Sequence, residues 1–200
     1  MAALATVAVV VAAAIVWLTT RGSAAAAPYE DPASIGTLTL CDAAGKPVIS
    51  GSTSAAPFVA RVVSSTAAAG PYAVAGRTAT LFAHQPREGA DPAEWSGQQL
   101  TAAARYTDPA HPMAQATVKD VALADFLAAF PPRWHGSVQL RLALAAPDAP
   151  PSGHYASLDL KVDGRHWQVV GTPGTASCTT GDATSTETLL DPSVTSATRP

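Results

Sequence analysis

Apolar and polar side chains alternate along much of the middle of the chain, and that period-two pattern predicts strands. Thr37 to Cys41 alternates cleanly, Asp42 to Lys46 reads as a turn, and Pro47 to Ser50 reads as the returning strand of a hairpin. Phe58 to Val63 is apolar on both parities, as a central strand would be, and Thr78 to Ala83 predicts another. In Ser137 to Leu144, Val138, Leu140, Leu142 and Leu144 share one face while Gln139 and Arg141 share the other. Leu158, Leu160 and Val162 likewise oppose Asp159 and Lys161. Asp163-Gly164 then separates that strand from His166 to Val170, the strongest short hairpin signal in the chain. On the last strand the parity places Trp167 and Val169 in the core.

One segment has a different period. Leu123, Phe126, Leu127 and Phe130 recur at helical spacing, so Asp120 to Phe130 predicts one short helix, with Asp120 as its N-cap and Pro131-Pro132 as its stop. Gln98 to Tyr106 fits a strand or a helical turn equally well. Thr107 to Gln115, with Pro109 and Pro112, reads as loop. Several short strands, long loops and one crossover helix predict a mainly all-β domain, an antiparallel Ig-like β-sandwich, over 36–178. "Ig-like" means architecture here, because the Cys…Trp…Cys spacing of an immunoglobulin domain is absent.

The two ends differ from this domain. Met1 to Leu18 is an apolar run without a charged side chain. As a helix it would span about 25 Å, between a long signal-peptide core and a short membrane anchor. The small residues Ala24 to Ala27 suit signal peptidase, whereas no basic residue precedes the run and Arg21 lies on the flank opposite to that of a standard export signal. The expectation for 1–27 is therefore an apolar helix serving as a cleaved signal peptide or an uncleaved anchor, with a buried helix as the third reading. Residues 28–35 read as a linker. Residues 179–200 are rich in Ser and Thr, nearly free of apolar residues, and read as a disordered tail that is either bare or O-glycosylated.

Composition narrows the function. The formal net charge of −3 provides no basic field for nucleic acid. Cys41 and Cys178 lie too far apart for a redox or zinc motif, and in an exported chain they predict a disulfide joining the two extremities of the domain.

Four strings, Gly36–Val48 (GTLTLCDAAGKPV), Ala75–Gly89 (AGRTATLFAHQPREG), Glu94–Leu100 (EWSGQQL) and Ala110–Thr117 (AHPMAQAT), resemble a group of uncharacterised exported proteins of actinobacteria. The resemblance spans roughly Gly36 to Val170. It implies an extracytoplasmic compartment; the group has no assigned activity, so no functional residue is carried over.

Catalytic strings are absent: there is no G-x-S-x-G elbow and no S-x-x-K, and the chain reads as a non-enzyme without a cofactor. His111-Pro112-Met113 sets an imidazole and a thioether two residues apart, a pair suited to Cu(I). The competing reading has Met113 covering a sheet edge. Trp95, Tyr106, Trp134 and Tyr72 lie in or beside loops, where aromatics grip sugars or protein partners. Alternatively, Trp95 and Trp134 close the ends of the core. The resulting expectation is a secreted or membrane-anchored, non-catalytic cell-envelope domain that binds a wall glycan or a protein. A copper or small-ligand carrier is the alternative.

Overall fold

The computed structural model describes residues 26–185; the apolar run at 1–18 and the last part of the Ser/Thr-rich tail lie outside them. Among the described residues no helix is long and apolar enough to cross a membrane. The chain is mainly β. Its elements are β1 (Ser34–Cys41), β2 (Ser50–Ser52), β3 (Arg61–Ser64), β4 (Thr78–His84), β5 (Gly97–Gln99), β6 (Ala104–Tyr106), β7 (Met113–Gln115), α1 (Leu123–Ala129), β8 (Ser137–Ala145), β9 (Tyr155–Asp163), β10 (His166–Val170) and β11 (Ala183–Ser185).

Hydrogen bonding joins these strands in one path, β11-β6-β4-β8-β9-β1-β3-β7, with β5 on β4 and β10 bridging β9 to β2. The end strand β7 comes back against β6 and β11, so the sheet nearly closes as a barrel. The expected arrangement of two separate antiparallel sheets gives way here to one curled sheet. The strand responsible is β1. Its first half pairs in parallel with β9 at Thr37↔Ser157, and its second half pairs antiparallel with β3 at Leu40↔Val62. One strand thereby serves both walls of the domain.

The inward faces follow the alternation. Leu38, Leu40, Val62, Leu81, Leu140, Leu142 and Leu160 are buried, and Trp167 joins them with its ring edge-on to Phe58. Leu123 and Phe126 of α1 are also fully buried in this core. The helix is shorter than its periodicity suggests. Ala122 is its N-cap, and the Asp120 carboxylate instead accepts from Thr117 N and Oγ1 and from Ala102 N, pinning the loop before the helix to the segment after β5.

Several boundaries differ from the pattern for physical reasons. The Asp42–Lys46 turn forms around Gly45 at φ 73°, but Pro47 has no N–H for a ladder, and the return stops at Val48 N bonding Leu40 O. The chain then pairs at Ser50–Ser52 with β10. In the β9–β10 hairpin the two central residues are Gly164 and Arg165, and only Gly164 has a positive φ. Met113–Gln115, expected as loop, is strand β7 on β3. Residues 183–185, expected within a disordered tail from 179, instead form strand β11 on β6 and bury Ala183 and Ser185.

Cys41 and Cys178 form a disulfide with Cα atoms 5.7 Å apart, closing a separation of 137 residues. It ties the end of β1 to the segment that leads into β11. In the chain-entropy description a closed loop of this length contributes about 5 kcal/mol. Replacing both cysteines by alanine is expected to lower the unfolding free energy in urea by about 3–5 kcal/mol, and an unchanged midpoint would show that the bond does not constrain the unfolded chain.

Candidate functional site

The outward face of β4, β8, β9 and β10 carries three rows of mostly polar side chains, set by the register of the ladders. One row is Ser137, Lys161 and Gln168; the next is His84, Gln139 and Asp159; the third is Phe82, Arg141 and Ser157. A sheet face turned away from the core is normally wet. Here the second and third rows are covered. The segment before β1 crosses them, and the loop between β4 and β5 closes over from the other side.

Arg141 is the centre of the covered region. Its Nε donates to Gln139 Oε1 at 2.6 Å and its Nη2 to the Pro92 carbonyl at 3.0 Å. Nη2 lies 3.4 Å from the Asp31 carboxylate, and the two side chains are only 7% and 3% exposed. The guanidinium stacks over the rings of Tyr155, at 4.6 Å, and Trp95, at 5.4 Å. Tyr155 OH donates to Asp31 Oδ2 at 2.8 Å, and Tyr29 OH donates to Asp159 Oδ1 at 2.6 Å. The Tyr29 ring sits edge-on to Trp95 at 4.7 Å and against Trp134 at 5.3 Å.

The electrostatics follow from burial. Desolvation raises the Asp159 carboxyl, and donation from Tyr29 and Gln139 partly restores it. Desolvation and Asp159 hold the Tyr29 phenol protonated far above its ordinary range, so it remains a donor. Desolvation, then the Arg141 charge, pushes the His84 imidazole down to about 4. Its Nδ1 is buried without a hydrogen-bond partner, packed so closely on Gly97 that a Cβ there would lie 2.5 Å from it.

Beside this covered region the first row is partly open: Gln168 is exposed, Lys161 half-buried and Ser137 buried. It floors a cleft of about 530 Å³ lined by Pro28, His135, Ser137, Lys161, Gln168 and Val170. The Lys161 ammonium donates to the His135 carbonyl at its rim. The face as a whole therefore offers a cation with aromatic walls, a phenol-binding carboxylate and an adjoining polar trough.

The residues singled out from the sequence divide unevenly over this site. Trp95 and Trp134 meet here, through Tyr29. Trp95 is not an exposed loop aromatic: it is 4% exposed, and its indole N–H donates to the Ala90 carbonyl. Trp134 is half-buried. Tyr106 lies elsewhere, buried at β6 under the Arg77 guanidinium, its hydroxyl donating to Tyr72 O and its pKa pushed up to about 12 by burial. Met113 is fully enclosed in the core by β7, and His111 Nδ1 faces the Ser64 carbonyl at 3.3 Å. Among the described residues no three His, Cys, Asp or Glu side chains are gathered as metal ligands. Tyr29, Asp31, His84, Gln139, Arg141 and Asp159 are the residues that the sequence pattern passes over. The outward parity of Gln139, Arg141 and Asp159 marks three of them, and a Tyr-x-Asp triplet in the linker at 28–35 is the only signal for the cover. No protein family, curated protein or solved structure matches this chain.

Asp31→Asn removes the charge facing Arg141 and is expected to cost about 1–3 kcal/mol by thermal or urea unfolding. The loss falls below that of a pair with no other contacts, because Gln139, the Pro92 carbonyl and the Tyr155 and Trp95 rings still hold the guanidinium. A second expectation concerns pH. The unfolded chain protonates His84 near 6.5 and the fold near 4, so the stability tied to it is present above pH 6.5 and lost as pH falls towards 4. Asp159, held above the ordinary carboxyl range, acts in the opposite sense. His84→Asn is therefore expected to lose roughly 1–3 kcal/mol less than the native chain between pH 7 and pH 4, and identical pH slopes would contradict the assignment.

Proposed function

We propose that the chain is an exported, non-catalytic binding domain of the cell envelope, released or held at the membrane by its N-terminal apolar run. The observation that carries this reading is the Cys41–Cys178 disulfide, which clasps the two extremities of the barrel and suits an oxidising compartment. The apolar run and the alanines after it point the same way. So does the resemblance to exported actinobacterial proteins. The binding face is the polar outer face of β8, β9 and β10 with its open cleft, and its partner is a wall glycan or a protein. The copper-carrier alternative loses support from the enclosure of Met113 in the core.

Fractionation of cells producing the full chain tests the proposal. Recovery from the envelope or medium, with Cys41 and Cys178 resistant to alkylation until reduced, is the expected result. Recovery from the cytosol with both thiols free would overturn it.

A further inference from the structure

The segment covering Arg141 is attached in an unusual way. Among the described residues, its first backbone hydrogen bond to the body is from Tyr155 N to the Ala33 carbonyl. The bond from Ser34 N to Asp31 O is internal to the segment and its turn. Everything that holds residues 29–31 is a side-chain contact. The Tyr29 hydroxyl reaches Asp159, the Tyr29 ring lies between Trp95 and Trp134, and the Asp31 carboxylate meets Arg141 and Tyr155. Glu30, between them, is exposed. A strand is held by its ladder; this segment is held as a peptide ligand is held, by two anchors with a spacer.

The surface beneath it points the same way. A sheet face meant for permanent burial is cheapest when apolar, because each buried charge must recover its lost hydration. Gln139, Arg141, Ser157 and Asp159 are instead the residues of a face that works in water. The same polar rows continue into the open cleft at Lys161 and Gln168, with Pro28 at the junction between covered and open parts.

We propose that this face is a recognition site for acidic peptides carrying an aromatic residue two positions before a carboxylate, and that Tyr29-Glu30-Asp31 is a resident copy that occupies it in cis. The partner's carboxylate pairs with Arg141 and takes the Tyr155 hydroxyl bond. Its aromatic ring enters the space between Trp95 and Trp134. The cleft at Lys161 gives the incoming chain a foothold beside the resident segment before that segment leaves. The inference rests on the binding-domain reading and deepens it. Peptide recognition can fail while the chain is still found exported, so the two are separately refutable.

The probe is the capped heptapeptide of residues 27–33, Ala-Pro-Tyr-Glu-Asp-Pro-Ala, titrated against the full chain by tryptophan fluorescence and calorimetry. The unlatched variant Tyr29→Ala/Asp31→Ala is expected to bind it with a Kd at least tenfold lower than the native chain. Adding Arg141→Met, or changing the peptide's Asp to Asn, removes that gain; changing its Glu to Gln does not. Equal binding by native and unlatched chains, or binding indifferent to the peptide's Asp, overturns the proposal. Should the double alanine variant lose its native circular dichroism, Tyr29→Phe/Asp31→Asn takes its place under the same criteria.

Discussion

A guanidinium on the outer face of a central strand needs either water or a counter-charge, and in this protein Arg141 has the second. Asp31 supplies the charge, Gln139 and the Pro92 carbonyl take two more donors, and Tyr155 and Trp95 cover the planar faces. Much of the local architecture serves that one group. The β4–β5 connection brings Pro92 and Trp95 over it, and the segment before β1 brings Asp31. Asp159, one strand away, then holds the hydroxyl of Tyr29, whose ring the two tryptophans enclose. Remove the guanidinium and the contacts that fold the N-terminal segment onto the sheet lose their centre.

The barrel makes this possible from the inside. Because β1 pairs with β9 along one half and with β3 along the other, its start is delivered to the edge of the covered face. The bond between Ser34 Oγ and Ser157 Oγ, 2.7 Å, and the parallel pairing just after it fix where residues 29–33 must lie. At the other end of β1, Cys41 is joined to Cys178. A single strand is thus pinned at its start by the outer-face network and at its end by the disulfide. Both pins join residues more than a hundred positions apart, so the fold is closed mainly by long-range contacts.

This long-range character explains what could be read from the chain alone. The alternation in β8, β9 and β10, the Gly164 hairpin and the helical spacing of Leu123 and Phe126 are local signals and are all present in the structure. The Cys41–Cys178 bond was legible because the chain has only two cysteines. The strands β5, β6, β7 and β11 are three residues each and built from Ala, Gly, Gln, Thr and Ser beside a few large side chains, so no periodicity can develop in them. Parallel pairing of β1 with β9 leaves no mark in either segment. The site was least legible of all. Trp95 looks like a loop aromatic until the residues that cover it are known, and Asp31 looks like linker until Arg141 is seen beneath it. Burial of a loop side chain is a property of its neighbours, and those neighbours lie elsewhere in the sequence.

The N-terminal segment is held on the sheet by Asp31 and Arg141 acting as one unit, and a double-mutant cycle measures that directly. Unfolding free energies of the native chain, Asp31→Asn, Arg141→Met and the double variant give the coupling between the two side chains. A coupling of about 1.5 kcal/mol or more, with the double variant more stable than the sum of the single losses allows, is the predicted result. Losses that add to within about 0.5 kcal/mol would show that the two charges are neighbours without being partners, and the arrangement described here would not hold the segment in place.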